Sequence, residues 1–249
     1  MKNKKKKAFT LAEVLITLAI IGIVAAITIP TLMANYQKVQ YVAELKKAYA
    51  EMTEALKLMA NDSGCPDNLV CTGLFDDNVD SLSFGNECKK YFKLSKDCGV
   101  YNSSDERTKC FSDSVSDNYD GSDPYGYGRY NLNNGYRYNF ITADGFAISL
   151  TNYKSNCENH WSVAESKACA TVNIDVNGFK GPNNVGRDIF KFIITTQNGP
   201  TLYPAGGSDD GHEGRWINSG NKIVACYDKN TLGWECAGRI MEEGWQMNY

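Results

Sequence analysis

From Val14 to Gln37 the chain carries no charged residue for 24 consecutive positions. About 20 apolar residues suffice for a helix to cross a bilayer, so this run sets what the rest of the chain can be. Five lysines precede it (Lys2, Lys4, Lys5, Lys6 and Lys7). Such a cluster stays on the cytoplasmic side, so everything after the run is expected to be exported. One residue disturbs the pattern. Glu13 stands at the start of the apolar segment, where a carboxylate costs about 2–3 kcal/mol on insertion scales. It is expected to have a partner.

Three fates compete for the segment. An ordinary secretory signal peptide could be cut near the small residues Val24-Ala25-Ala26, yet the apolar run continues to Ile29 and Glu13 stays unexplained. An uncut signal anchor accounts for the lysines and the length, but gives Glu13 no purpose. Cleavage between Ala8 and Phe9 supplies one. It creates a new α-amine at Phe9, four residues before Glu13. In a helical stack of subunits, Glu13 of one copy could pair with the amine of its neighbour and set the axial register.

The stretch Ala8-Phe9-Thr10-Leu11-Ala12-Glu13 resembles the processing site of the type IV pilin and type II secretion pseudopilin family. A small residue precedes the cut, Phe comes first, and Glu is fifth in the mature chain. Gly22 and Pro30 fall where the family tends to have helix-loosening residues. Ala8 departs from the Gly usual before the cut. The resemblance covers about the first 30 residues. It implies removal of residues 1–8 by prepilin peptidase, methylation of the Phe9 amine, and assembly through Glu13, Gly22 and Pro30. It also implies a pilin-like fold.

After Pro30 charge returns, with apolar residues at Val42, Leu45, Tyr49, Met52, Leu56 and Met59. These steps of three and four make one stripe. A helix over residues 9–60 is expected, 75–80 Å long at roughly 1.5 Å per residue. Its part from about 9 to 34 would be transmembrane, and its later part would pack on a sheet. Residues 61–135 read as a polar, Cys-rich variable connection, with a short helical piece at Glu87–Leu94. Residues 136–249 read as a β-sheet domain with C-terminal loops. Its clearest hairpin is Tyr136–Ile141 and Phe146–Leu150 around Ala143-Asp144-Gly145. Further strands are expected at Ala170–Asp175, Ile189–Thr196 and Lys222–Tyr227. Gly238–Tyr249 reads as a terminal turn or strand, with Trp245 packing there. A long helix followed by an antiparallel sheet is an α+β architecture.

All nine cysteines (Cys65, Cys71, Cys88, Cys98, Cys110, Cys157, Cys169, Cys226 and Cys236) lie beyond the apolar run, with no CxxC pair. That distribution suits disulfides in an oxidising compartment. Nearness in sequence suggests Cys65–Cys71, Cys157–Cys169 and Cys226–Cys236, with one further bond among Cys88, Cys98 and Cys110. The odd count leaves one thiol.

Removing residues 1–8 leaves 21 basic against 29 acidic residues. So acidic a chain repels nucleic acid, and no direct nucleic-acid contact is expected. Cys157-Glu158-Asn159-His160 could be read as metal ligands or a Cys/His pair, but an exported Cys157 is better read as disulfide-bonded. His212 lies in a glycine-flanked stretch. No phosphate loop, HExxH or GxSxG occurs, so no catalytic residue is expected. Asp175-Val176-Asn177-Gly178 opens a loop that continues through Gly181-Pro182-Asn183-Asn184 and closes at Asp188. Hard oxygen ligands at this spacing suit calcium, and some major pseudopilins carry a structural calcium in a similarly placed loop. The alternative is a turn whose Asp and Asn side chains bond their own backbone. No cofactor is required. Asp123-Pro124-Tyr125-Gly126 is faintly like a short element of major pseudopilins, inside a Tyr-rich stretch expected to cover the core edge.

These expectations describe a single-pass inner-membrane protein whose C-terminal domain lies outside the cytoplasm, then in a periplasmic or cell-surface filament. Its partners would be copies of itself or other pilin subunits, prepilin peptidase, the inner-membrane assembly machinery and membrane lipid. The alternatives are a membrane-tethered binding protein that never polymerises, and a competence pseudopilin of a DNA-uptake machine.

Overall fold

The computed structural model describes residues 10–116, 118, 120–121, 131–158, 168–196, 200–205, 226 and 233–249. Helix α1 runs Leu11–Asp62 and continues through Pro30, whose missing N–H removes one helical hydrogen bond. Residues 1–40 and 41–249 form two separate units. In the first, nearly every side chain from Leu11 to Val39 is exposed, including Ile16, Ile23 and Leu32. Its most apolar 18-residue window has a mean hydropathy of 2.5, with none of it buried.

In the second unit, α1 buries Tyr41, Val42, Leu45, Ala48, Met52, Ala55, Leu56, Met59 and Ala60. This is the expected stripe, widened by alanines that let the helix approach the sheet. Tyr49 is half-buried. Its ring lies 5.5 Å from that of Phe192 and 5.6 Å from that of Trp245, and its hydroxyl donates to the Leu202 carbonyl at 3.1 Å.

The sheet is a six-stranded antiparallel meander in sequence order. Its strands are β1 (Leu94–Val100), β2 (Tyr138–Thr142), β3 (Ala147–Asn152), β4 (Ala168–Asp175), β5 (Ile189–Thr195) and β6 (Thr201–Pro204). Period-two alternation separates two faces. Phe140, Ile148, Leu150, Val172, Ile174, Phe190, Phe192 and Ile194 join the α1 stripe in the main core. The opposite face carries a smaller cluster with Cys98, Cys110, Phe111, Val115, Leu132, Ala147, Val185 and Ile189. Across that face the register aligns Asn139, Ser149, Asn173 and Lys191.

The connection departs from the sequence expectation. Helix α2 spans Ser81–Cys88, capped by Asp80, whose side chain accepts the Ser83 N–H at 2.8 Å. A 3-10 turn follows at Lys89–Tyr91. The helical piece therefore lies earlier than Glu87–Leu94, and β1 begins where that piece was to end. β1 escaped notice because its sequence, LSKDCGV, lacks apolar alternation. It pairs with β2 through two register irregularities. α2 lies close on the sheet because residue 85 is glycine. A Cβ there would stand 2.0 Å from the Tyr138 ring.

The C-terminal segment opens with helix α3 (Cys236–Glu242), and the turn expected over Gly238–Tyr249 occurs only beyond it, at residues 243–245. Trp245 packs on Tyr49 of α1, at the edge of the main core. Strand β6 was also unexpected, being only four residues long and ending in proline, as edge strands can. The expected strand Lys222–Tyr227 lies outside the described residues except for Cys226.

Candidate functional site

Thr10 and Glu13 close the N-terminal end of α1 on each other. The Thr10 N–H and hydroxyl both donate to Glu13 Oε2 at 2.9 Å, and the Glu13 N–H donates to Thr10 Oγ1 at 3.2 Å. This is a capping box, in which a Thr and a Glu three residues later satisfy helix-end donors that have no intrahelical partner. Thr10-Leu11-Ala12-Glu13 spells that signal in the sequence, yet the sequence expectation had given Glu13 only an intermolecular partner. Thr10 is thus a residue that sequence reasoning missed. Ala8 and Phe9 lie outside the described residues. Gly22 sits in helix with nothing within 4 Å of an added Cβ, and Pro30 likewise lies within α1.

A second site forms where β4 hands over to β5. Asp175 and Asp188 are both fully buried. Asp188 organises the loop between them. Its Oδ1 accepts the Asn184 N–H at 2.7 Å, and its Oδ2 accepts the Asn183 N–H at 2.8 Å and the Asn177 amide at 3.2 Å. Asp175 Oδ1 accepts the Asn177 N–H at 3.1 Å. The structure thus brings Asp175, Asn177 and Asp188 together. It adds Asn183, which the sequence placed in the loop but did not single out.

Both turn chemistry and unused donor capacity are present. Asp175 Oδ2, Asn177 Oδ1 and Asn183 Oδ1 are buried acceptor atoms without a hydrogen-bond partner, and such atoms normally have one. Burial, with the charge of Asp188 beside it, pushes the Asp175 carboxyl well above the ordinary carboxylate range. Asp188 is raised too, by burial, against the lowering effect of the Asn184 and Asn183 N–H groups. Three hard oxygens and two desolvated carboxylates fit a hard divalent cation. Among the described residues no group of three or more His, Cys, Asp or Glu side chains is placed to hold a metal, so this donor set depends on amide oxygens. The Tyr41 phenol of α1 lies against the Asn177 side chain. It is raised by burial and by the charge of Asp188.

The cysteines pair as Cys65–Cys71, Cys98–Cys110, Cys157–Cys169 and Cys226–Cys236. Cys88, on α2, remains a thiol, and burial pushes it up to about 12. Cys157 is therefore no nucleophile. His160, His212 and Asp123-Pro124-Tyr125-Gly126 lie outside the described residues.

Residues 3–29 match the family model of the prokaryotic N-terminal methylation motif. No solved structure matches the chain. The match spans Lys4 to Lys7, the Ala8/Phe9 junction, the Thr10–Glu13 cap and the apolar helix through Ile29. The chain therefore carries the signature of type IV pilin and pseudopilin-like exported proteins at its N-terminus, joined to an α+β domain of a long helix and a six-stranded antiparallel sheet.

Proposed function

We propose that this chain is a structural subunit of a type IV pilus-like or type II secretion pseudopilus filament. It is exported, cut between Ala8 and Phe9 by prepilin peptidase, methylated on the new amine, and assembled through its N-terminal helix. One observation carries this reading. The matched motif ends in a helix that carries no charged residue from Val14 to Ile29 and is almost wholly exposed over that length. Such a surface needs lipid before assembly and other subunits after it. The Phe9 amine of a neighbour would replace Thr10 as the partner of Glu13 in the filament. The inner-membrane assembly machinery and related subunits are the remaining partners of this reading. No catalytic role is assigned to any residue.

Intact mass of the protein from its native host should show loss of residues 1–8 and one added methyl group. A mature N-terminus near Ile27 would instead establish an ordinary signal peptide. Glu13→Ala should leave membrane insertion intact and abolish filament incorporation, because an unpaired buried amine is strongly destabilising. The readout is the ratio of mutant to wild-type subunit in sheared filaments at matched membrane levels.

One observation favours a second reading, a tether that never polymerises. The Thr10–Glu13 cap gives Glu13 a use within a single chain. Equal incorporation of Glu13→Ala would put the tether ahead.

We also propose that the loop between β4 and β5 holds a structural calcium ion on Asp175 Oδ2, Asn177 Oδ1 and Asn183 Oδ1, with Asp188 shaping the loop from behind. Chelator should lower the melting temperature, and Asp175→Ala should abolish that difference. An unchanged melting curve in excess chelator would leave only a self-bonded turn.

A further inference from the structure

The loop between β4 and β5 also projects an aromatic ring. Phe179 is 52% exposed, one of few large apolar side chains beyond residue 40 that are so among the described residues. Lys180 beside it is exposed as well. The ring is not needed by the core, since the loop is already held by the bonds to Asp188.

The position of this loop is set by topology. In an up-and-down meander, the β2–β3 and β4–β5 connections emerge at the same end of the sheet. There an added Cβ on Gly178 would stand 3.2 Å from the Gly145 carbonyl oxygen, and Lys47 pairs with Asp144 at 3.1 Å. Tyr41 meets Asn177 at this same end. Tyr41 is only four residues beyond Gln37, the last residue of the uncharged run. Chain connectivity alone keeps the two within about 14 Å, whatever path the backbone takes. Phe179 is in turn two residues from Asn177, at most about 7 Å of chain.

We propose that Phe179 is an interfacial membrane anchor. Its ring would sit among the headgroups of the same bilayer that the N-terminal helix crosses, with the Lys180 stem lying along the surface and its ammonium reaching lipid phosphate. The inference rests on the reading of residues 14–37 as a membrane span. The occupant is lipid because the chain is already tethered to it at that end. A weak contact then acts at high effective concentration. The contact would steady the domain on the membrane until assembly withdraws it.

Site-directed spin labelling of the full chain in phosphatidylcholine–phosphatidylglycerol vesicles tests this. Single labels are placed at Phe179→Cys, at Ile23→Cys within the span, and at Tyr136→Cys, which is 81% exposed. Buried Cys88 does not compete for the reagent. The expected result is that labels at 179 and 23 meet dissolved oxygen more than a water-soluble nickel chelate, with the opposite order at 136. An aqueous label at 179 with an embedded label at 23 would overturn the anchor and leave the span standing. An aqueous label at 23 would overturn both. A label at 179 shielded from oxygen and chelate alike would place Phe179 in a protein contact and overturn the lipid assignment.

Discussion

Asp175 and Asp188 lie in one loop without exposure, and only Asp188 has both carboxylate oxygens hydrogen-bonded. Their carboxyls are raised by burial, and for Asp175 also by its neighbour's charge. In the cation-free protein the native state therefore binds more protons than the unfolded chain above the ordinary carboxylate range. Stability is present at low pH and is lost as pH rises through the raised values. The limiting loss is about 1.4 kcal/mol per pH unit for each proton released. In detergent with excess chelator, the melting temperature should fall as pH rises above the ordinary carboxylate range. Calcium should flatten that slope by favouring the ionised carboxylates, and Asp175→Asn should reduce it without calcium, leaving the share that burial of Asp188 contributes. A flat profile in chelator would mean that the pair is solvated or otherwise neutralised. At the same scale, Thr10 and Glu13 show how one carboxylate can serve two ends. It caps its own helix in the isolated chain, and in the proposed filament the amine of a neighbour would take the place of that cap.

At the scale of elements, the two faces of the sheet are chemically unlike. Toward α1 they present Phe, Ile, Leu and Val. Away from it they present the row Asn139, Ser149, Asn173 and Lys191. Asn139 finds the Leu132 carbonyl at 2.9 Å, whereas both polar atoms of fully buried Asn173 have no hydrogen-bond partner. Each such atom carries a desolvation penalty of about 1–3 kcal/mol. Asn173→Leu should thus raise the unfolding free energy by roughly 1 kcal/mol, less than the full penalty because the larger side chain must be repacked. Urea titration checks it, and a lower midpoint would show that Asn173 is satisfied in solution, for example by a bridging water. One disulfide acts on an element poorly able to hold itself. Cys98–Cys110 ties β1, weakly patterned and twice irregular, to the chain that follows it.

At the scale of the whole molecule, all buried α1 residues belong to the unit that starts at Tyr41. A chain beginning at Tyr41 should therefore melt within a few degrees of the full protein in detergent. A large drop would reveal support from residues 1–40. Much of this plan was legible in the sequence, because it is written locally. The uncharged run, the Thr-x-x-Glu cap and the stripe from Val42 to Met59 are periodic or contiguous, and a helix needs only its own neighbours. Cysteines six, ten and twelve residues apart in sequence found each other because short loops close readily. β1, β6 and α3 were not legible. β1 and β6 take their structure from β2 and β5 alongside them rather than from their own apolar pattern. α3 is a seven-residue helix, too short to be stable alone, and it is held by burial of Ala237 and Ile240 and by the Cys226–Cys236 bond. Sequence by itself determined the long uncharged apolar segment, the helix-then-sheet order and the oxidised cysteines. Only the tertiary structure decided that Asp175, Asn177, Asn183 and Asp188 converge, since desolvation and unpaired oxygens exist only once distant strands have closed around them.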